Sequence, residues 1–227
     1  MKKLSSLILL CFISNSVFPQ SVKGVLVQEF ISSIGNDTIL TKKEKTPLLF
    51  DYRYSQGLSV QNLITTNKSS IGIIFKEQNG TIAPIENKII SPINLVFYKD
   101  FSRDIFMYIS TTDNTDLAIK DRLSATFIWQ LVNETKVING HVCKKATTVN
   151  KLFKIKDLPI TAWYCEKIPI NDGPFNYTGL PGFIMQIEIG NLTTYTFKDL
   201  IFNDELYVIE EPQNSASPVT FEENKRR

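Results

Sequence analysis

Phe183-Ile184-Met185-Gln186-Ile187-Glu188-Ile189, then Gly190-Asn191, then Thr194-Tyr195-Thr196-Phe197-Lys198-Asp199-Leu200-Ile201-Phe202, is the stretch that decides the fold. Successive side chains of an extended chain point to opposite faces, so Phe183, Met185, Ile187 and Ile189 share one face and Ile184, Gln186 and Glu188 the other. Gly and Asn accept the positive φ that a tight hairpin turn demands. The stretch reads as strand, turn, strand, which requires an antiparallel sheet with an apolar face to bury.

The same two-residue period recurs outward from this hairpin. β-Branched and aromatic runs predict strands over 25–31, 48–54, 71–75, 95–98, 105–109, 127–131, 142–149, 160–165 and 206–210. Gly35-Asn36-Asp37, Asn79-Gly80, Asn139-Gly140 and Asn171-Asp172-Gly173-Pro174 supply turns between them. Segments 55–65 and 116–124 could hold short helices, although neither carries an apolar stripe. The expected architecture is mainly β: a single domain with a curved antiparallel meander sheet, forming a half-barrel or open barrel, and few short helices.

Lys2 and Lys3 precede an apolar run over 4–13, too short to cross a bilayer, which needs about 20 such residues. A basic start followed by a short apolar run predicts a cleaved signal peptide over 1–20 and a domain over 21–227, with Ser14-Asn15-Ser16 as an alternative cleavage region. Leu10 stands where a lipoprotein signal has a small residue, which disfavours an anchor on Cys11. No later segment reaches transmembrane length, so the expected location is the periplasm, the outer-membrane periphery or the exterior. Without Lys2 and Lys3 the chain has 23 basic and 23 acidic side chains. Such a balance argues against nucleic acid, which selects a clustered basic excess. Lys225-Arg226-Arg227 beside Glu222-Glu223 is expected to be a frayed, solvated end. The Asn-x-Ser/Thr triplets at Asn36, Asn67, Asn79, Asn133, Asn176 and Asn191 follow from an Asn- and Thr-rich composition.

A succession of short motifs fills 129–188: Trp129-Gln130-Leu131-Val132-Asn133-Glu134, Gly140-His141-Val142-Cys143, Thr161-Ala162-Trp163-Tyr164, Ile168-Pro169-Ile170, Gly173-Pro174-Phe175 and Gly179-Leu180-Pro181-Gly182-Phe183-Ile184. It resembles the GLPGLI family of exported Bacteroidetes proteins, whose signal ends Phe18-Pro19-Gln20 also resembles. Phe183 replaces the Leu of the name-giving motif, 150–158 is a longer loop, and Cys165 stands where the family has Thr. The resemblance implies export and carries over no catalytic residue, because the family has no established activity.

Gly179-Leu180-Pro181-Gly182 reads as a rigid turn feeding the strand from Phe183. Trp163, Tyr164, Phe175, Tyr177 and Phe183 gather aromatic surface around it. Such surface builds core, lines an apolar pocket or centres an interface. These residues, with Gly179, Leu180, Pro181 and Gly182, are the candidates for binding a ligand or partner. Beyond the signal peptide the cysteines are Cys143 and Cys165. A hairpin centred on Lys154 sets them opposite each other, with Cα atoms roughly 4.5–5.5 Å apart, and export favours a disulfide.

The sequence nominates no catalytic, metal or cofactor site. His141 is the single histidine and no G-x-S-x-G elbow occurs. Cys143 or Cys165 with His141 makes a poor nucleophile–base pair, since neighbours on a strand share a face without meeting. Glu210 with Glu211, or Asp199 with Asp204, could occur on any surface. Asp113-Asn114-Thr115-Asp116 lacks the Gly and Glu of a calcium loop. The leading expectation is a non-enzymatic binding or accessory protein whose concave face holds a lipid, peptide or other hydrophobic ligand. The alternatives are a partner of outer-membrane transport or assembly machinery and a hydrolase with an unrecognised site.

Overall fold

A computed structural model describes residues 21–30, 47–65, 70–78, 81–89, 94–112, 115–123, 127–149, 158–190, 193–214 and 216–226. The expected signal peptide, Cys11, the turns at Gly35-Asn36-Asp37, Asn79-Gly80 and Asn191, Asn67, Asp113-Asn114 and the loop around Lys154 lie outside these residues.

Among the described residues, thirteen strands and one helix follow in order: β1 (Ser21–Phe30), β2 (Leu48–Ser55), β3 (Leu58–Leu63), β4 (Ser70–Gln78), β5 (Thr81–Ile89), β6 (Asn94–Asp100), β7 (Ile105–Thr111), β8 (Asp116–Arg122), β9 (Gln130–Ile138), β10 (His141–Val149), β11 (Pro159–Cys165), β12 (Phe183–Ile189), β13 (Thr193–Asn203) and α1 (Phe221–Arg226). Eleven of these strands form one sheet in the order β8-β7-β6-β3-β2-β1-β13-β12-β11-β10-β9, and β4 pairs with β5 in a second sheet. Every registered strand pair is antiparallel. Two meanders therefore meet where the first strand pairs the last, leaving β8 and β9 as the two edges of an open sheet.

The sheet is curved, as expected. Phe50, Phe97 and Phe106 on one side of β1 share a single core with Ile138, Ala146, Ile160 and Phe197 on the other, although strands spaced about 4.8 Å apart would separate them widely in a flat sheet. Register breaks between Lys23 and Val25, Lys144 and Lys145, and Trp163 and Tyr164 supply bends. At the first, Asp199 takes φ 52°, and a side chain on Gly24 would collide with Leu200.

Several local expectations need correction. Segment 55–65 forms a turn and β3 instead of a helix, with Gln56 and Gly57 at φ 50° and 79°. Of segment 116–124, Asp116–Arg122 forms edge strand β8 in place of the expected helix. Segment 206–210 belongs to no strand, and Phe127–Trp129 precede β9 without joining it. The C-terminal end is not frayed through Arg226: Val219 bridges Ile119, and α1 follows. Thr220 Oγ1 accepts the Glu223 N–H at 3.2 Å while Glu223 Oε2 accepts the Thr220 N–H at 2.7 Å, a reciprocal capping box that satisfies two helix-end donors.

The expected β10–β11 register is present, running from Val149↔Pro159 to Lys144↔Tyr164, but the disulfide is not: Cys143 and Cys165 are free and buried. Directly opposed Cβ atoms sit about 4.5–5.5 Å apart, beyond the roughly 3.5–4.5 Å a disulfide spans. The registered ladder also stops one step short of the pair.

Candidate functional site

The chain between β11 and β12, residues 166–182, folds onto the concave face and occupies it. Ile168, Ile170, Tyr177 and Leu180 join the core, and half-buried Phe175 packs against it. The Phe175 ring lies 4.0 Å from Phe97, 5.4 Å from Phe50 and 4.7 Å from Tyr195, centroid to centroid. This one side chain therefore bridges the two meanders. Gly173 and Gly182 permit the close approach: a Cβ on Gly173 would meet the Tyr177 carbonyl and Ile184, and one on Gly182, at φ 138°, the Cys165 carbonyl. The Gly-rich motif is thus required by packing as well as by turning.

Beneath the loop lies a polar node. Lys99 on β6 and Asp172 form an ion pair with both side chains fully buried. The Lys99 Nζ also donates to the Gly173 carbonyl at 2.6 Å. The Tyr52 hydroxyl donates to Asp172 Oδ2 at 2.9 Å, and the Gly173 N–H donates to Oδ1 at 2.7 Å. Gln61 Nε2 donates to the Gly173 carbonyl at 3.0 Å while its Oε1 accepts the Phe175 N–H at 2.9 Å. Burial lowers the Lys99 ammonium pKa against the opposing pull of Asp172. Burial, reinforced by Asp172, raises the Tyr52 phenol well above its ordinary value. Removing one member of a buried pair leaves an uncompensated charge, at about 3–5 kcal/mol.

The structure gathers the aromatic candidates in and against one core cluster. Tyr177, Leu180 and Phe183 are core, Tyr164 is buried, and Pro181 and Gly179 are exposed. Trp163 belongs to the same core cluster, with Lys136 and Lys145 Nζ atoms 5.2 and 5.8 Å from its ring. Its Nε1 donates to Glu188 at 3.2 Å. Phe127 and Trp129 complete the aromatic group around the turn: Phe127 stacks on Tyr177 at 4.7 Å, and Trp129 Nε1 donates to the Thr178 carbonyl at 2.8 Å. Trp129 opened the motif series in the sequence, but only the fold shows that it covers Gly179.

His141 lines a cavity of about 300 Å³ together with Asn139, Met185, Phe197 and Asp199. The Cys143 thiol donates to the His141 carbonyl at 3.5 Å. Burial pushes that thiol pKa up to about 12, the reverse of an activated nucleophile. Among the described residues, no group of three or more His, Cys, Asp or Glu side chains is arranged to hold a metal, and no helix is long and apolar enough to cross a membrane.

Exposed apolar surface collects elsewhere, at the β9 edge. Ile128, Leu131, Val137 and Val142 are 80, 63, 66 and 54 % exposed. Val137 and Val142 are cross-strand partners, and β9 has a single neighbour among the described residues, β10.

Comparison with known proteins gives three findings. A family model described as "Protein of unknown function (Porph_ging)" matches residues 150–186, the segment holding the concave-face loop and the start of β12. No curated protein matches the chain. Among solved structures, PNGF-II in a P21 crystal form is similar over 83 % of this chain at 11 % identity and a TM-score of 0.50. The C2 crystal form is similar over 83 % at 13 % identity and a TM-score of 0.48. The matched region spans only 29 and 28 % of those chains, and at such identity the likeness concerns fold alone.

Proposed function

We propose that the chain is an exported, GLPGLI-family accessory protein of the cell envelope that recognises a partner polypeptide through the β9 edge and acts without catalysis. One observation carries this reading: among the described residues β9 offers an unpaired backbone edge, beside exposed Leu131, Val137 and Val142. Native sheets ordinarily cover or blunt such an edge, and an extended segment of another chain can pair with it. The occupancy of the concave face by Phe175 and its neighbours supports a protein partner over a hydrophobic ligand held there. The motif series over 129–188 supports the family assignment.

The test is a photoreactive residue at Val137 in cells. Capture of one discrete envelope polypeptide, abolished by Val142→Lys and absent from a control probe at exposed Val208, is the expected result. No capture at Val137, together with an organic-extractable adduct on the native protein, would replace this reading with the hydrophobic-ligand one.

A further inference from the structure

We propose that Lys99 and Asp172 become joined by an intramolecular amide bond between Nζ and Cγ once the sheet has closed around them. Both side chains are fully buried and in contact. A nitrogen touching a carboxyl oxygen lies about 3–3.5 Å from the carboxyl carbon, the near-attack range. The two groups cannot drift apart, since the Gly173 carbonyl holds the amine and the backbone of Ile184 donates to the Asp172 carbonyl at 2.8 Å.

Burial favours the neutral Lys99 amine. Charged forms pay a desolvation penalty of several kcal/mol each in such a site, and proton transfer from ammonium to carboxylate within the pair supplies the amine and carboxylic acid that react. Burial lowers the Lys99 pKa in the same sense. The amine lone pair then attacks Cγ. Negative charge developing on Oδ1 faces the Gly173 N–H at 2.7 Å, the placement of an oxyanion donor. The Tyr52 hydroxyl, 2.9 Å from Oδ2, protonates that oxygen as the Cγ–Oδ2 bond breaks and recovers a proton from Nζ. One N–C bond forms, one C–O bond breaks and one water leaves, with no change of oxidation state. Ser59, opposite Lys99 in the β3–β6 ladder, has a buried hydroxyl without a partner among the described residues and can receive the departing water.

The bond would tie β6 to the loop that fills the concave face. Its chemistry calls for no oxidant, in a chain whose two buried cysteines are free.

The experiment is intact mass measurement on the full protein under denaturing conditions, followed by tryptic peptide sequencing. A mass one water below that of the sequence from the observed N-terminus, with a branched peptide joining Lys99 to Asp172 and no labelling of Lys99 by an amine reagent, is expected. A full mass with Lys99 labelled in the unfolded chain would overturn the proposal and leave an ion pair. Branched-peptide sequencing uses the unmodified sequence, so the outcome stands even if Asp172→Ala fails to fold. It is also independent of partner binding at β9.

Discussion

Edge strands β8 and β9 follow one another in the chain yet finish on opposite sides of the sheet, and the protein treats them differently. Along β8 the C-terminal segment returns as a strap. The Lys120 N–H donates to the Val219 carbonyl at 2.9 Å and the Val219 N–H to the Ala118 carbonyl at 3.0 Å. Phe221 stacks on Phe106 at 5.8 Å, and Glu211 pairs with both Arg103 and Lys120 at 2.8 and 2.7 Å. Ile209 packs on Val96, Tyr98, Met107 and Ile109, an apolar cluster separate from the main core. Nothing among the described residues does the same for β9. The chain covers one edge with its own backbone and leaves apolar side chains along the other, two different treatments of the edge problem.

The largest expected effect comes from making the covered edge resemble the bare one. Phe221→Ala removes a half-buried ring from Phe106 and should cost about 2–3 kcal/mol, below the roughly 3–5 of a fully buried Phe, read as a lower urea midpoint. Acid should loosen the same side. Arg103 and Ser102 bonds outweigh burial and lower the Asp100 pKa to about 2, and Lys120 and Arg103 lower that of Glu211. Their folded pKa values lie below the unfolded ones, so this stability is present above about pH 4 and is lost as pH falls toward 2. A denaturation series over that window should show the decline, with a smaller slope in Glu211→Gln. Val142→Lys beside the bare edge should change stability by no more than about 0.5 kcal/mol while abolishing capture by the probe at Val137. A destabilisation as large as that of Phe221→Ala would mean that β9 is covered after all.

How far the sequence reading reached depends on what each face packs against. Strand β12 emerged with its observed limits, and β10 and β11 with their observed register, because an apolar face alternated with a polar one. Strand β3 was hidden because its inward positions include Ser59 and Gln61, both buried, and Gln61 serves the loop. Lys99 gave no signal, since a lysine within an apolar run ordinarily reaches solvent. The register break between Trp163 and Tyr164 gives no signal, because a bulge cannot be read from residue types. The Thr220-to-Glu223 capping box is a Thr-x-x-Glu pattern legible in the sequence, and it orders an end whose charges alone predict fraying.

By itself the sequence determined the strand-and-turn vocabulary and the antiparallel character, since two-residue alternation and the positive φ of Asn and Gly are local properties. Only the tertiary structure decided which strands became edges, which aromatics shared a face and that a loop fills the concavity. Those choices rest on contacts such as Lys99 with Gly173, 74 residues apart, where the desolvation of one group is offset by another that no local pattern announces.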